Sequence, residues 1–179
     1  MRRTLCLIAA SFALFNAPAA VAALAVGAPA PRFTVDAAVG GQPFKFNLAE
    51  TLKKGPVVLY FYPKAFTSGC TVEAHNFAEA TDKFKAMGAT VVGISADDIE
   101  TLKKFSVEAC RSKFAVAADV GGKVMKDYDS ALRLMPGAAD RISYLIAPDG
   151  KVAAVFSSLN PDGHVDAMLK AVEQLSIKR

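Results

Sequence analysis

Pro56 to Tyr62 reads PVVLYFY, a continuous run of β-branched and aromatic residues set between Gly55 and Pro63. Such a run shows no polar alternation and predicts a strand covered on both faces, near the centre of a sheet. Downstream, Ala74, Phe77, Ala80, Phe84 and Met87 recur at helical spacing between Cys70 and Met87, and Gly88 is a stop signal. Thr90 to Ser95 (TVVGIS) gives a second strand, and a helix follows from Asp97-Asp98 through Ile99, Leu102, Phe105 and Ala109. Phe114 to Ala118 predicts a third strand, with a short helical turn near Lys123 to Tyr128. Arg141 to Ala147 and Lys151 to Ser157 form a hairpin about Asp149-Gly150. A last helix after Asn160-Pro161-Asp162-Gly163 carries Val165, Met168, Leu169, Val172 and Leu175 on one face. Upstream, Arg32 to Asp36 and Phe44 to Leu48 alternate around Gly40-Gly41 as an N-terminal hairpin. Apolar strands separated by amphipathic helices predict an α/β fold, a mixed sheet flanked by helices on both faces.

The 179 residues are 53% hydrophobic and 21% charged, which excludes a disordered or low-complexity chain. Met1-Arg2-Arg3, the apolar run Thr4 to Phe15 and the small residues Ala19 to Ala23 describe a secretory signal peptide, 1–23, cleaved near Ala22 or Ala23. The apolar run is too short for a membrane span, which needs about 18 residues. The remaining 24–179 is read as one domain, periplasmic or secreted. The formal charge of +4 falls to +2 when Arg2 and Arg3 leave, and Lys and Arg are scattered, so no nucleic-acid partner and no stable membrane association are expected. Two histidines and the cysteines show no paired metal-ligand spacing, and no glycine-rich phosphate loop is present. Neither a metal nor a cofactor is expected.

Cys6 leaves with the leader, so Cys70 and Cys110 are the cysteines of the mature chain. Cys70 stands where the buried strand gives way to a helix, and in a first helical turn free backbone N–H groups and the helix dipole favour an anion. A thiol with a pKa of about 8.5 is only about 3% ionised at pH 7, and bringing it near 6 takes roughly 3.4 kcal/mol. A helix terminus supplies about 0.3 to 1 kcal/mol, or up to ~2 when partly buried, so a reactive thiolate here also needs hydrogen bonds and a nearby cation. From its placement, Cys70 reads equally as a nucleophile or as a small core residue.

The run YPKAFTSGCTVEA (Tyr62 to Ala74), with Pro63, Thr67 and Cys70 in the spacing Pro-x-x-x-Thr-x-x-Cys, resembles the peroxidatic loop of the peroxiredoxins. VGAPAPRFTV, PVVLYFYPK, VVGISAD and RISYLIAPDGKV extend the resemblance along nearly all of the mature chain, most closely to the bacterioferritin comigratory protein, or peroxiredoxin Q, branch. The resemblance implies a thioredoxin-like fold and a thiol peroxidase for hydrogen peroxide and organic hydroperoxides. In it Cys70 is the peroxidatic nucleophile, Thr67 directs its hydroxyl to the thiolate and the peroxide, and Pro63 walls the pocket from water. Arg141 supplies the fixed positive charge, its other reading being a surface charge on an edge strand. Glu73 either orients Arg141 or compensates the helix dipole.

Many members of that branch carry a resolving cysteine five residues after the peroxidatic one, where this chain has His75. His75 lies about 140° around the helix from Cys70 and reads as a surface histidine. Other members resolve from the following helix, where Cys110 falls; its alternative is a packed or spare thiol. His164 reads as a local residue at the start of the last helix. The implied reductant is a thioredoxin-like dithiol protein, and the implied assembly a monomer or weak dimer. Two rival functions are a disulfide oxidoreductase of the same fold and a peroxide-sensing or binding module with little turnover. The first is weakened because Thr67 fills the position where a Cys-x-x-Cys pair would begin.

Overall fold

A computed structural model describes residues 23–177, so the predicted leader lies outside the described residues except for Ala23. The elements run β1 (Thr34–Val39), β2 (Gln42–Asn47), α1 (Leu48–Leu52), β3 (Val57–Phe61), α2 (Ser68–Ala86), β4 (Thr90–Ser95), α3 (Ile99–Glu108), β5 (Ala115–Ala118), α4 (Lys123–Asp127), β6 (Ile142–Ile146), β7 (Val152–Ser157) and α5 (His164–Ile177). They build one seven-stranded mixed sheet in the order β2-β1-β5-β4-β3-β6-β7. β3, β4 and β5 are parallel, and β6 returns antiparallel beside β3.

The PVVLYFY run is central, as its composition requires. Every residue of β3 is buried, and the period of two sends alternate side chains to opposite cores. Val58, Tyr60 and Tyr62 face a cluster with Phe77 and Phe84 of α2, Phe105 of α3 and Met168 and Val172 of α5. Val57, Leu59 and Phe61 face the other, with Leu48 of α1, Val124 and Met125 of α4, and Tyr144. Tyr60 stacks on Phe77 with ring centroids 4.4 Å apart. Gly93 of β4 makes room for that ring, because a Cβ there would stand 2.7 Å from it.

The hairpin of β1 and β2 turns at Gly40-Gly41, both at positive φ, and is not a separate appendage. β1 extends to Val39, beyond the predicted Asp36, because it also pairs with β5 and so joins the main sheet. The predicted second strand ends one residue early. Asn47 Oδ1 accepts from the Glu50 N–H at 3.0 Å and caps α1, so Leu48 starts a short helix that alternation along FKFNL did not reveal. At the next turn, α3 ends at Glu108, and Cys110 lies in the following turn rather than on the helix. Its N–H donates to the Phe105 carbonyl at 3.1 Å, and Arg111 and Ser112 then take left-handed φ angles of 50° and 57°. None of the described helices is long and apolar enough to cross a membrane.

Candidate active site

The loop from β3 to α2 is held at both ends. The Tyr62 N–H donates to the Ile94 carbonyl at 3.1 Å. The Ala65 N–H donates to Asp97 Oδ2 at 2.7 Å, and the same oxygen accepts from Ser95 Oγ at 2.8 Å. Phe66 then takes a left-handed φ of 64° and lays its half-exposed ring edge-on against Phe105 of α3, 5.2 Å away. Thr67 is extended and serves as the N-cap of α2, which makes Cys70 the third residue of the helix. Its backbone N–H is therefore one of those a helix start leaves without a partner of its own. The Cys70 side chain is buried.

Arg141 reaches Cys70 from the start of β6. Its Nη2 donates to Cys70 Sγ at 3.5 Å, its Nε donates to the Leu159 carbonyl at 3.0 Å, and Nη1 forms an ion pair with Glu73 Oε2. β6 lies between β3 and β7, so the Arg141 side chain is only 7% exposed and the surface-charge reading is overturned. Burial disfavours its charge, but the anions of Glu73 and Cys70 outweigh this and set its pKa above the ordinary arginine value. Gly69 leaves the approach open, because a Cβ there would lie 3.2 Å from Nη2.

Glu73 sits in the second turn of α2, since the helix begins at Ser68 rather than at Cys70. It is fully buried against Arg141, too deep to serve as surface compensation of the dipole. Burial pushes its carboxyl up to about 7, with Arg141 pulling the other way. A raised acid contributes stability that is fully present below its unfolded pKa and is lost as pH rises through its folded one. In the window from 4.5 to about 7, Glu73 should therefore lower stability by about 3 kcal/mol as pH rises. Glu73→Gln is expected to remove that component. In urea unfolding between pH 4.5 and 8, the wild-type midpoint should fall more steeply than the variant's, and parallel slopes would refute the assignment.

His164 is not local. It starts α5 as predicted, but its ring is fully buried, edge-on to Phe156. Nδ1 lies 2.8 Å from Ser143 Oγ and 3.6 Å from Glu73 Oε1, and Nε2 lies 3.0 Å from the Ser158 carbonyl. The sequence signal available was a histidine within an apolar helical stripe, at a position where Met168 and Val172 follow at i+4 and i+8. Thr67 also differs from expectation. Its hydroxyl donates to the Lys64 carbonyl at 3.0 Å rather than to Cys70, because left-handed Phe66 folds the loop back and brings that carbonyl within reach. Pro63 and His75 are each half-buried.

Cys70 and Cys110 are both free thiols. Cys110 is fully buried, and burial pushes its thiol well above the ordinary value. Its neighbours Arg111 and Lys113 bridge to Glu79 and Asp82 at 3.2 and 3.0 Å. Those carboxylates lie about two and a half and a little over three turns further along α2 than Cys70.

This geometry has known counterparts. The model of the AhpC/TSA family matches residues 26–155. The chain belongs to this family. Peroxiredoxin Q of Suaeda salsa is 34% identical over 157 residues, covering 87% of this chain and 71% of the relative. Peroxiredoxin Q of Triticum aestivum is 33% identical over 176 residues, covering 93% and 79%. The crystal structure of peroxidoxin BcpB from Mycobacterium tuberculosis superposes with a TM-score of 0.73 at 32% identity, over 84% of this chain and 97% of that one. The expected fold and the peroxiredoxin Q resemblance both hold, and this AhpC/TSA protein is a thiol-dependent peroxidase.

Proposed function

We propose that Cys70 is the peroxidatic nucleophile of this peroxidase, that Arg141 is its electrostatic partner and that Cys110 resolves the oxidised form. The observation that carries the first two roles is the buried guanidinium donating to Cys70 Sγ at the start of α2. The Cys70 thiolate attacks one oxygen of a hydroperoxide, forming an S–O bond as the O–O bond breaks. The O–O electron pair leaves on the distal oxygen, which Arg141 meets with positive charge and which takes up a proton to depart as water or an alcohol. Thr67, whose oxygen keeps lone pairs beyond its bond to Lys64, accepts from the peroxide O–H, and Pro63 keeps water from the approach. Cys70 is left as a sulfenic acid.

The Cys110 thiol then attacks the Cys70 sulfur, giving a disulfide and one water. A disulfide needs Cα atoms within roughly 7 Å, and two thiols packed in separate elements meet only if the start of α2 and the turn after α3 open. Phe66 on Phe105 couples those two segments. A dithiol protein of thioredoxin type then reduces the disulfide, becoming oxidised itself. Export to the periplasm or beyond is supported by the charge and hydropathy pattern of 1–23 and by a family match that begins only at Val26.

Intact mass after alkylation, with and without one equivalent of hydrogen peroxide, tests the assignment. Wild type should lose both alkylatable thiols as one disulfide, while Cys110→Ser should carry one added oxygen at Cys70. Persistent alkylation of Cys70 after peroxide would overturn its role. A wild-type sulfenic acid that accumulates while Cys110 stays alkylatable would overturn the role of Cys110.

A further inference from the structure

The buried polar cluster beneath Cys70 is incompletely hydrogen-bonded. Glu73 Oε1 is buried with no hydrogen-bond partner among the described residues, although Oε2 is held by Arg141. His164 Nδ1 stands 3.6 Å from it. The Ser158 carbonyl can only accept, so His164 Nε2 must carry a hydrogen, and in the neutral ring Nδ1 is the acceptor, taking the Ser143 hydroxyl proton. That bond uses the single in-plane lone pair of Nδ1, so the neutral ring has no hydrogen to offer Oε1, and two electron-rich atoms stand 3.6 Å apart. One more proton, on either atom, turns this repulsion into attraction and lets a small approach of the two side chains make a hydrogen bond between groups that are both fully buried.

We propose that Glu73 and His164 together hold one exchangeable proton, and that this proton sets how much of the Arg141 charge is available to Cys70. This rests on the reading of Cys70 and Arg141 given above. With the proton in place the pair is neutral, and the guanidinium charge is balanced by the thiolate alone. Without it, one guanidinium faces two anions. His164 is thus a positioning residue, acting through Glu73 and Arg141. The surrounding groups fit. Cys70 and Glu73 face the cluster from α2, Arg141 and Ser143 from β6 and its start, the Tyr60 phenol from β3, and the Ser158 and Leu159 carbonyls from the segment before α5. Burial raises the Glu73 carboxyl and lowers the His164 imidazole, the latter opposed by the bond to the Ser158 carbonyl and reinforced by Arg141, so both shifts move the proton's preference from the imidazole towards the carboxylate.

Linkage makes the proposal measurable, since a proton that feels the Cys70 charge must bind less tightly when that charge is removed. The chain has only two histidines, so nitrogen-detected NMR resolves the His164 ring. In the reduced protein, His164 should show the Nε2–H tautomer at alkaline pH and report a titration near neutrality. In Cys70→Ser the midpoint should fall by about half a pH unit or more. Coincident midpoints, or no titration of His164 between pH 5 and 9, would overturn the shared proton. In a second arm, peroxide reaction rates from pH 5 to 9 should lose a step near neutrality in His164→Phe, with a drop of about tenfold below it, whereas a superimposable profile would overturn the coupling. Failure of wild-type Cys70 to react at any pH would sink the underlying reading instead, and is distinguishable from both.

Discussion

Cys70→Ser is expected to consume hydrogen peroxide at less than about one-thousandth of the wild-type rate while keeping the fold. The substitution replaces sulfur by a smaller oxygen at a buried position in the first turn of α2, and Arg141, which loses the thiolate, keeps Glu73 as its buried partner. The chemistry cannot survive it. A serine hydroxyl is ionised only by a strong adjacent base, and the side chain bonded to Cys70 is a guanidinium, which stabilises an anion but accepts no proton. Attack on a peroxide also needs a polarisable atom able to end as a stable oxidised species, which sulfur supplies through its sulfenic acid. Cys110→Ser is the informative contrast. It should keep the first oxidation and lose turnover with a dithiol protein as reductant. Peroxide consumption by Cys70→Ser within tenfold of wild type would move the chemistry to Cys110.

Much of this site was legible because it follows from local pattern. The central strand, the strand-to-helix junction and the need for a cation beside a first-turn thiol are all consequences of composition and spacing within a few residues. Arg141 required the family resemblance, since 71 residues separate it from Cys70 and nothing in its own neighbourhood distinguishes it from a surface charge. The remainder depends on tertiary packing. Glu73 reads as an ordinary helix-start acid unless Ser68 is known to begin the helix, and a two-residue shift decides whether it lies in the first turn or the second. His164 reads as a local residue at a helix start unless α5 is known to pack on β6 and α2. The left-handed pair Arg111-Ser112 moves Cys110 off α3 into a turn, and no glycine or proline marks it. Thr67 is the subtlest case, because the direction of its hydroxyl is set by the backbone of its neighbour Phe66 and not by any spacing.

Arg141→Met should lower the rate of Cys70 oxidation by about a hundred- to a thousandfold, the range for loss of a single preorganised charge at a reacting centre. It should also destabilise the protein, because Glu73 is left buried with its counterion gone, and breaking a buried pair costs about 3 to 5 kcal/mol. These two effects separate by pH. A carboxyl already pushed up to about 7 by burial rises further without Arg141 and escapes the penalty by staying protonated. The stability deficit of Arg141→Met relative to wild type should therefore be small near pH 5 and grow above pH 7, where wild-type Glu73 is ionised and paired. Adding Glu73→Gln removes the buried charge, so the double variant should recover stability at pH 8 and yet remain as slow as Arg141→Met. Arg141→Lys should fall between, since an ammonium carries the charge but its three N–H bonds leave one nitrogen and cannot span Cys70, Glu73 and the Leu159 carbonyl, which Nη2, Nη1 and Nε each reach separately. Recovery of rate along with stability in the double variant would mean that Arg141 serves the fold as a counterion to Glu73, and that the charge at Cys70 is handled by the helix start alone.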